Sequence, residues 1–192
     1  MSHFYAYLAK MKYISRWGLM RNTWSESLQD HSFQVAMITH GLAVIRNQLF
    51  AGSINPERAA LLALFHDAGE VIVGDLPSPI KHSNENLREA FEALEETARQ
   101  RLVSMLPEEL QAQFEPLFQA EAADCEHLAL VAAADKICAY LKCLEERRAG
   151  NLEFTEAEKT IRRTLEASEL PEVAYFIRQF TGSFTLTLDE LN

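Results

Sequence analysis

The chain has 192 residues, with 18 basic and 28 acidic side chains and a formal net charge of −10. This length predicts one domain over residues 1–192, large enough to fold without a disulfide or metal staple, and 7 glycines and 6 prolines disfavour collagen-like, linker-rich and many-turned all-β classes. The acidic balance excludes broad binding to a nucleic-acid polymer, which needs a positive face, but leaves room for a small anion in a local pocket.

The predicted elements are helical nearly throughout. Residues 3–14 place Phe4, Leu8 and Met11 on one stripe. Residues 15–27 are polar apart from a few positions and predict a loop. Ser27 with Asp30 reads as an N-cap and first-turn acid, opening a helix to about Leu49 with Val35, Ile38, Leu42 and Ile45 at helical spacing. Asn55-Pro56-Glu57 is a cap, a proline at the first helical position and an acid near the positive end of the dipole. The helix it opens, Arg58–His66, is apolar nearly all round and is predicted at the centre of a bundle. Residues 74–83 carry two prolines and predict a loop. Asn84 caps a helix over 85–105, and Pro107 starts another to about Gln119. A long helix over 123–148 ends near Gly150, and two more follow at about 153–168 and 171–180. Only Phe184–Leu188 alternates like a strand, and a lone strand has no partner. The class is therefore all-α.

The longest uncharged apolar stretches, residues 59–65 and 128–134, fall far short of the roughly 20 residues a bilayer requires, so no membrane association is expected. The first residues show no apolar targeting core. Cys125, Cys138 and Cys143 are odd in number and never spaced Cys-x-x-Cys, which argues against a disulfide framework or a thiolate zinc site. A reducing cytoplasm is the expected compartment.

Chemistry is expected where polar side chains fall on apolar faces, because burial is costly unless they are paired. His31 begins the second helix, His66 and Asp67 end the most apolar one, and Asp135 sits inside Leu-Ala-Leu-Val-Ala-Ala-Ala-Asp-Lys-Ile-Cys-Ala-Tyr-Leu. Two imidazoles and two carboxylates from three helices can converge on one divalent cation, which offsets the cost of burying the anions. Spacing alone leaves plainer alternatives open: hydrogen-bonded core histidines, Asp135 paired with Lys136, and Asp67 merely closing its helix. His3, His82 and His127 read as surface or capping residues. His40, about half a turn from His31, reads as packing or structural. Glu92, Glu95 and Glu96 with Arg88 and Arg99 read as a solvated helix face.

His31, then His66-Asp67, then Asp135 resembles the H…HD…D pattern of HD-type metal-dependent phosphohydrolases. The surroundings are more specific. Arg-Trp-Gly-Leu-Met-Arg-Asn at 16–22, His-Ser-Phe-Gln-Val-Ala-Met at 31–37 and His-Asp-Ala-Gly-Glu-Val at 66–71 resemble cytoplasmic bacterial 5′-deoxynucleotidases of the YfbR type. So do Gly-Asp-Leu-Pro-Ser-Pro-Ile-Lys at 74–81, the run from Ala134 to Glu146, and the tail at 183–190. Asp30 stands where this family often has Glu, and Ser78 where it often has Thr.

The resemblance implies an all-α single-domain bundle of the HD type that converts deoxyribonucleoside 5′-monophosphates to deoxyribonucleosides and phosphate. His31, His66, Asp67 and Asp135 would ligate one divalent ion. Mixed nitrogen and oxygen ligation suits a transition metal, and the resemblance favours Co²⁺, with Mn²⁺ the alternative. Arg16 is the implied phosphate fork, since guanidinium offers planar paired donors. Glu70 is the candidate for proton transfer, lying three residues after Asp67 and so on the same face if the helix continues past Gly69. Asp75 would face the substrate or orient water, Leu76, Pro77 and Ser78 would wall the pocket, and Trp17 would pack on the sugar and exclude a 2′-hydroxyl. Substrate contacts are also implied for His31, Asp67 and Asp135. A homodimer is implied by the family alone. Rival expectations are an HD enzyme acting on another nucleotide, such as a guanosine tetraphosphate or a cyclic nucleotide, and a non-catalytic helical module.

Overall fold

The computed structural model describes residues 1–81, 83–119 and 121–192, with only the backbone of Ser78. In chain order the helices are α1 (Phe4–Leu8), α2 (Leu28–Leu49), α3 (Pro56–Phe65), α4 (Glu70–Val73), α5 (Ser78–Lys81), α6 (Glu85–Ser104), α7 (Glu108–Phe118), α8 (Cys125–Arg148), α9 (Thr155–Glu166) and α10 (Pro171–Phe180). Short 3₁₀ turns cover Ala9–Tyr13, Ala122–Asp124, Leu152–Phe154, Thr181–Thr185 and Leu188–Leu191. Among the described residues there is no strand, only an isolated antiparallel bridge between Ser15 and Ser27.

The caps legible in the sequence are formed. Ser27 accepts from the Asp30 amide while Asp30 reaches back to the Ser27 amide, closing a capping box on α2. Asn55 and Asn84 accept from the Arg58 and Leu87 amides. Each such cap contributes about 1 kcal/mol by satisfying a backbone donor that the helix leaves unpaired.

Two long helices carry the main core. Val35, Ile38 and Leu42 of α2 pack with Leu130, Ala134, Ile137 and Leu141 of α8, joined by Ala59 and Leu62 of α3, Leu165 of α9 and Val173 and Phe176 of α10. Buried ion pairs brace this layer. Arg46 donates to Glu172, which is fully buried, and Arg58 grips Asp124 at the start of α8 with two donors, at 3.1 and 2.6 Å. A second cluster joins Phe4, Ala68, Leu102, Leu106 and Phe118, with Phe65 at the end of α3 packed edge-on against Phe114.

Several expectations are corrected. Helix α3 is not buried all round: Leu61 and Leu64 stay 40% and 41% exposed, because only the Ala59–Leu62–Ala63 face meets α2 and α8. The central position belongs to α8, whose seam is buried from Leu130 to Glu146. The alternating stretch at 184–188, expected to find no strand partner, lies partly in the 3₁₀ turn Thr181–Thr185. Within the predicted loop at 74–83, residues 78–81 form one helical turn, fastened to α6 where Lys81 donates to Glu95 at 2.8 Å. Glu95 is therefore a half-buried partner rather than part of a solvated face. His40 is exposed, whereas His127 is half-buried 3.4 Å from Asp124. His82 lies outside the described residues.

Candidate metal centre and active site

Three stretches of backbone bring the polar cluster together. The first is the 15–27 loop, whose ends are pinned side by side. Arg16 donates its amide to the Glu26 carbonyl at 3.0 Å, and Leu28 donates to Ile14 at 2.8 Å. This closure sets the Arg16 side chain beside the first turn of α2, where His31 is fully buried.

The second stretch follows α3. The chain does not stop turning at Phe65 but tightens. Glu70 donates to the Asp67 carbonyl at 3.0 Å and Ile72 to Gly69 at 3.1 Å, bonds spanning three residues rather than four. In so tight a turn, side chains three apart eclipse, which stacks Glu70 over Asp67. Gly69 permits the turn to lie on α6: a Cβ there would sit 3.3 Å from the Glu95 carbonyl oxygen and 3.4 Å from the Arg99 Cγ. Gly74, at φ +82°, then turns the chain into the proline segment. The third stretch is the middle of α8, which presents Asp135.

At the meeting point, His31 Nε2 lies 3.1 Å from Asp135 Oδ1 and 3.8 Å from Asp67 Oδ2, and His66 Nε2 lies 3.1 Å from Asp67 Oδ2. Ligand atoms of His31, His66 and Asp67 all fall within 4.8 Å of one another. His66 Nδ1 is hydrogen-bonded to the Ala63 carbonyl at 2.7 Å. Since that oxygen can only accept, Nδ1 carries a proton, which leaves Nε2 as the nitrogen that a cation would take in place of a proton. Both Nε2 atoms are buried without a properly aligned hydrogen bond. Two orphaned imidazole nitrogens facing two carboxylates fit a divalent cation with mixed nitrogen and oxygen ligands. Asp135 also meets Lys136, at 3.3 Å through its other oxygen, so that plainer pairing coexists with the cluster.

The electrostatics are those of crowded anions. Asp135 is held well below the usual carboxylate range: burial pushes it up, but His31, Lys136 and His66 outweigh burial. Burial likewise raises Asp67, and the His66 and His31 imidazoles bring it down past its ordinary value. Glu70 is pushed up to about 9 by burial and then by Asp67 and Asp75. Its Oε2 is buried without a hydrogen bond. Asp75 is also raised, by burial first, with Asp67 opposing its ionisation and Arg16 favouring it.

Arg16 is 14% exposed and leans on Asp67 at 3.5 Å, Asp135 at 3.8 Å and Glu26 at 3.9 Å. Contacts this long are ionic rather than well-formed hydrogen bonds. Trp17 adopts φ +57°, a left-handed conformation costly for a side chain with a Cβ. It is held there by its indole NH, which donates to Glu26 at 2.9 Å, and by the Phe154 ring 5.2 Å away. Leu76 and Pro77 are half-buried beside Asp75 in the chain, and the Ser78 side chain lies outside the described residues.

Two functional-looking features escaped the sequence reading. Glu26 faces His31, Arg16 and Trp17 at once. Its signal was faint, since an acid just before a helix cap is ordinary. Glu146 is buried with Lys142 and receives donors from the 15–27 loop. It follows Asp135 by eleven residues, about 20° from the same direction on a helix, so its place on the inner face of α8 was legible. A groove of about 360 Å³ lies alongside, lined by Trp24, Glu26, Asp30, Gln34, Met37, Lys142 and Glu145, and none of the four clustered ligand candidates lines it.

This architecture is that of the HD-domain phosphohydrolases. A phosphohydrolase of that class from Listeria innocua superposes with a TM-score of 0.81 at 22% identity, over 95% of this chain and 88% of that one. A cyanophage S-2L HD phosphohydrolase, described as bound to dA and one catalytic Zn²⁺ ion, superposes with a TM-score of 0.62 at 19% identity, over 93% and 96%. In sequence, the model of a family described as 5′-deoxynucleotidase YfbR-like matches residues 3–184. The 5′-deoxynucleotidase of Vibrio cholerae is 51% identical over 191 residues, covering 100% of this chain and 98% of its relative. The Escherichia coli O1:K1 5′-deoxynucleotidase YfbR is 50% identical over 191 residues, covering 100% and 96%. The chain belongs to the YfbR-like 5′-deoxynucleotidase family.

Proposed function

We propose that this 5′-deoxynucleotidase hydrolyses deoxyribonucleoside 5′-monophosphates with His31, His66, Asp67 and Asp135 holding one divalent transition metal. The observation carrying this reading is the pair of buried Nε2 atoms, each within 3.1 Å of a carboxylate and neither properly hydrogen-bonded. Bound there, a cation supplies an acidified water and charge neutralisation at phosphorus. Co²⁺ is the favoured ion, with Mn²⁺ the alternative, and the Zn²⁺ of the cyanophage neighbour adds a third to test.

The chain's own residues supply the rest. Arg16 anchors the phosphate: its long contacts to Asp67 and Asp135 are readily exchanged for a bidentate grip on phosphate oxygens. Glu70, pushed up to about 9, carries a proton that the 5′-oxygen needs as its bond to phosphorus breaks. Positive charge beside Asp67 would oppose that rise, because it offsets one of the anions that cause it. Asp75 with Leu76, Pro77 and Ser78 borders the substrate. Trp17, wedged between Glu26 and Phe154, would pack its indole on the sugar and exclude a 2′-hydroxyl. A homodimer and a cytoplasmic location complete the proposal. No helix among the described residues is long and apolar enough to cross a membrane.

The test is phosphate release from dAMP, dTMP and AMP by the metal-free chain after adding Co²⁺, Mn²⁺ or Zn²⁺. Release from the deoxy substrates, much less from AMP, and loss of activity with a chelator are expected. Equal rates on dAMP and AMP remove the role given to Trp17. Release without metal removes the metal reading.

A further inference from the structure

Glu26 lies behind His31 relative to the other ligand candidates. The two nitrogens of an imidazole sit on different edges of the ring. In His31, Nε2 faces Asp135 at 3.1 Å and Nδ1 faces Glu26 Oε1 at 3.3 Å, ionic contacts of which neither is an aligned hydrogen bond. The second oxygen of the same carboxylate accepts from Trp17 Nε1 at 2.9 Å and lies 3.9 Å from Arg16 Nε. Glu26 is only 9% exposed, and its own carbonyl accepts from the Arg16 amide at 3.0 Å. One side chain thus touches a metal-ligand candidate, the phosphate-anchor candidate and the residue assigned to the sugar.

We infer that Glu26 is a positioning residue that orients His31 for the cation and holds Arg16 and Trp17 for the substrate. Carboxylates face both ring nitrogens, but a cation shared with Asp135 would replace the proton on Nε2, and the Glu26 carboxylate, which can only accept, then favours the proton on Nδ1. It also makes Nε2 a better donor to a metal. The peptide carbonyl of Ala63 does the same for His66, but a neutral oxygen does it more weakly. The grip on the Trp17 indole has a separate task. It holds a residue at φ +57°, a conformation that relaxes unless its surroundings fix it. Metal binding and substrate binding are therefore coupled through one carboxylate that itself contacts neither.

The inference rests on the assignment of His31 as a ligand, and the experiment separates the two. Co²⁺ is titrated calorimetrically into the metal-free full-length chain, its Glu26→Gln, Glu26→Ala and His31→Ala variants, with thermal unfolding of each measured alongside. Glu26→Gln keeps the volume and an acceptor for Trp17 but removes the charge behind His31. It is expected to unfold near the midpoint of the unsubstituted chain yet bind Co²⁺ roughly tenfold to a hundredfold more weakly, and nitrogen NMR of the His31 imidazole should show the Nδ1–H tautomer lost. Glu26→Ala, where it folds, should add a raised KM for dAMP through release of Trp17 and Arg16. Unchanged Co²⁺ affinity and an unchanged tautomer in Glu26→Gln, with binding abolished in His31→Ala, overturn the role of Glu26 alone. Undiminished Co²⁺ binding in His31→Ala overturns the ligand assignment, and this inference with it.

Discussion

Thr23 and Glu146 are 123 residues apart in the chain, yet both the amide and the hydroxyl of Thr23 donate to the Glu146 carboxylate, at 2.9 and 2.7 Å. The Trp24 amide adds a third donor and Asn151 a fourth, and the Lys142 ammonium is buried against the same carboxylate. This knot ties the loop bearing Arg16 and Trp17 to the end of the central helix. The loop's other ties are its own closing bridge, the seats of Arg16 and Trp17, and the Arg21–Glu153 pair at the surface.

Removing the knot should therefore cost stability. Glu146→Ala strands the Lys142 ammonium, which is 5% exposed, without its partner. Breaking a buried pair from one side costs about 3–5 kcal/mol. At 2–4 °C per kcal/mol for a chain of this size, the melting midpoint should fall by roughly 10 °C. A shift within about a degree would show that the clamp carries no load.

The same carboxylate predicts an acid response. Burial pushes Glu146 up, but Lys142, Thr23 and Asn151 outweigh it and hold the group at about 2, against an ordinary 4.5. A depressed folded value stabilises fully above the unfolded pKa and is lost as pH falls through the folded one. Its contribution of about 3 kcal/mol should be complete above about pH 5 and fade between about pH 4.5 and pH 2. Urea midpoints measured down through that window should fall more steeply for the unsubstituted chain than for Glu146→Gln. Parallel curves would refute the assignment.

The ligand set makes a sharper forecast. Asp135→Ala and Asp67→Ala each remove a carboxylate from the cluster, so both should lose bound metal as well as turnover. Metal content after dialysis reads the first and phosphate release the second. A variant that keeps its metal would strike its residue from the coordination shell.

Glu70 should behave differently, since it stands beside the cluster as a proton carrier. Glu70→Gln should leave metal content and dAMP affinity nearly unchanged while kcat drops by about 10²–10⁴-fold. Calorimetric affinity and steady-state kcat together decide the matter. A loss of affinity equal to the loss of turnover would make Glu70 a binding group instead.

Much of this molecule is local in origin. Caps at Ser27, Asn55 and Asn84 and apolar residues at helical spacing act within one or two turns, so they mark where helices begin and which face turns inward. The four ligand candidates were legible for a related reason: a charged or titratable side chain on an apolar stripe needs a partner wherever it is buried. Whether Glu70 reached Asp67 was not decided locally. It depended on the chain tightening after Phe65 and on Gly69 allowing that turn to rest against α6. Nor did periodicity reveal that Leu61 and Leu64 face outward, because an all-apolar helix does not say which side its neighbours will choose.

Composition and short-range pattern by themselves determined the helical class, most element boundaries and the identity of the ligand candidates, since those follow from hydrogen bonding and burial over a few residues. Tertiary structure alone decided that Glu26 backs His31, that Glu146 clasps Thr23 and that Arg16 leans on Asp67. Such pairings join residues from separate elements, 123 positions apart in one case, and leave no periodic trace in the chain; they exist only once packing has brought their backbones together.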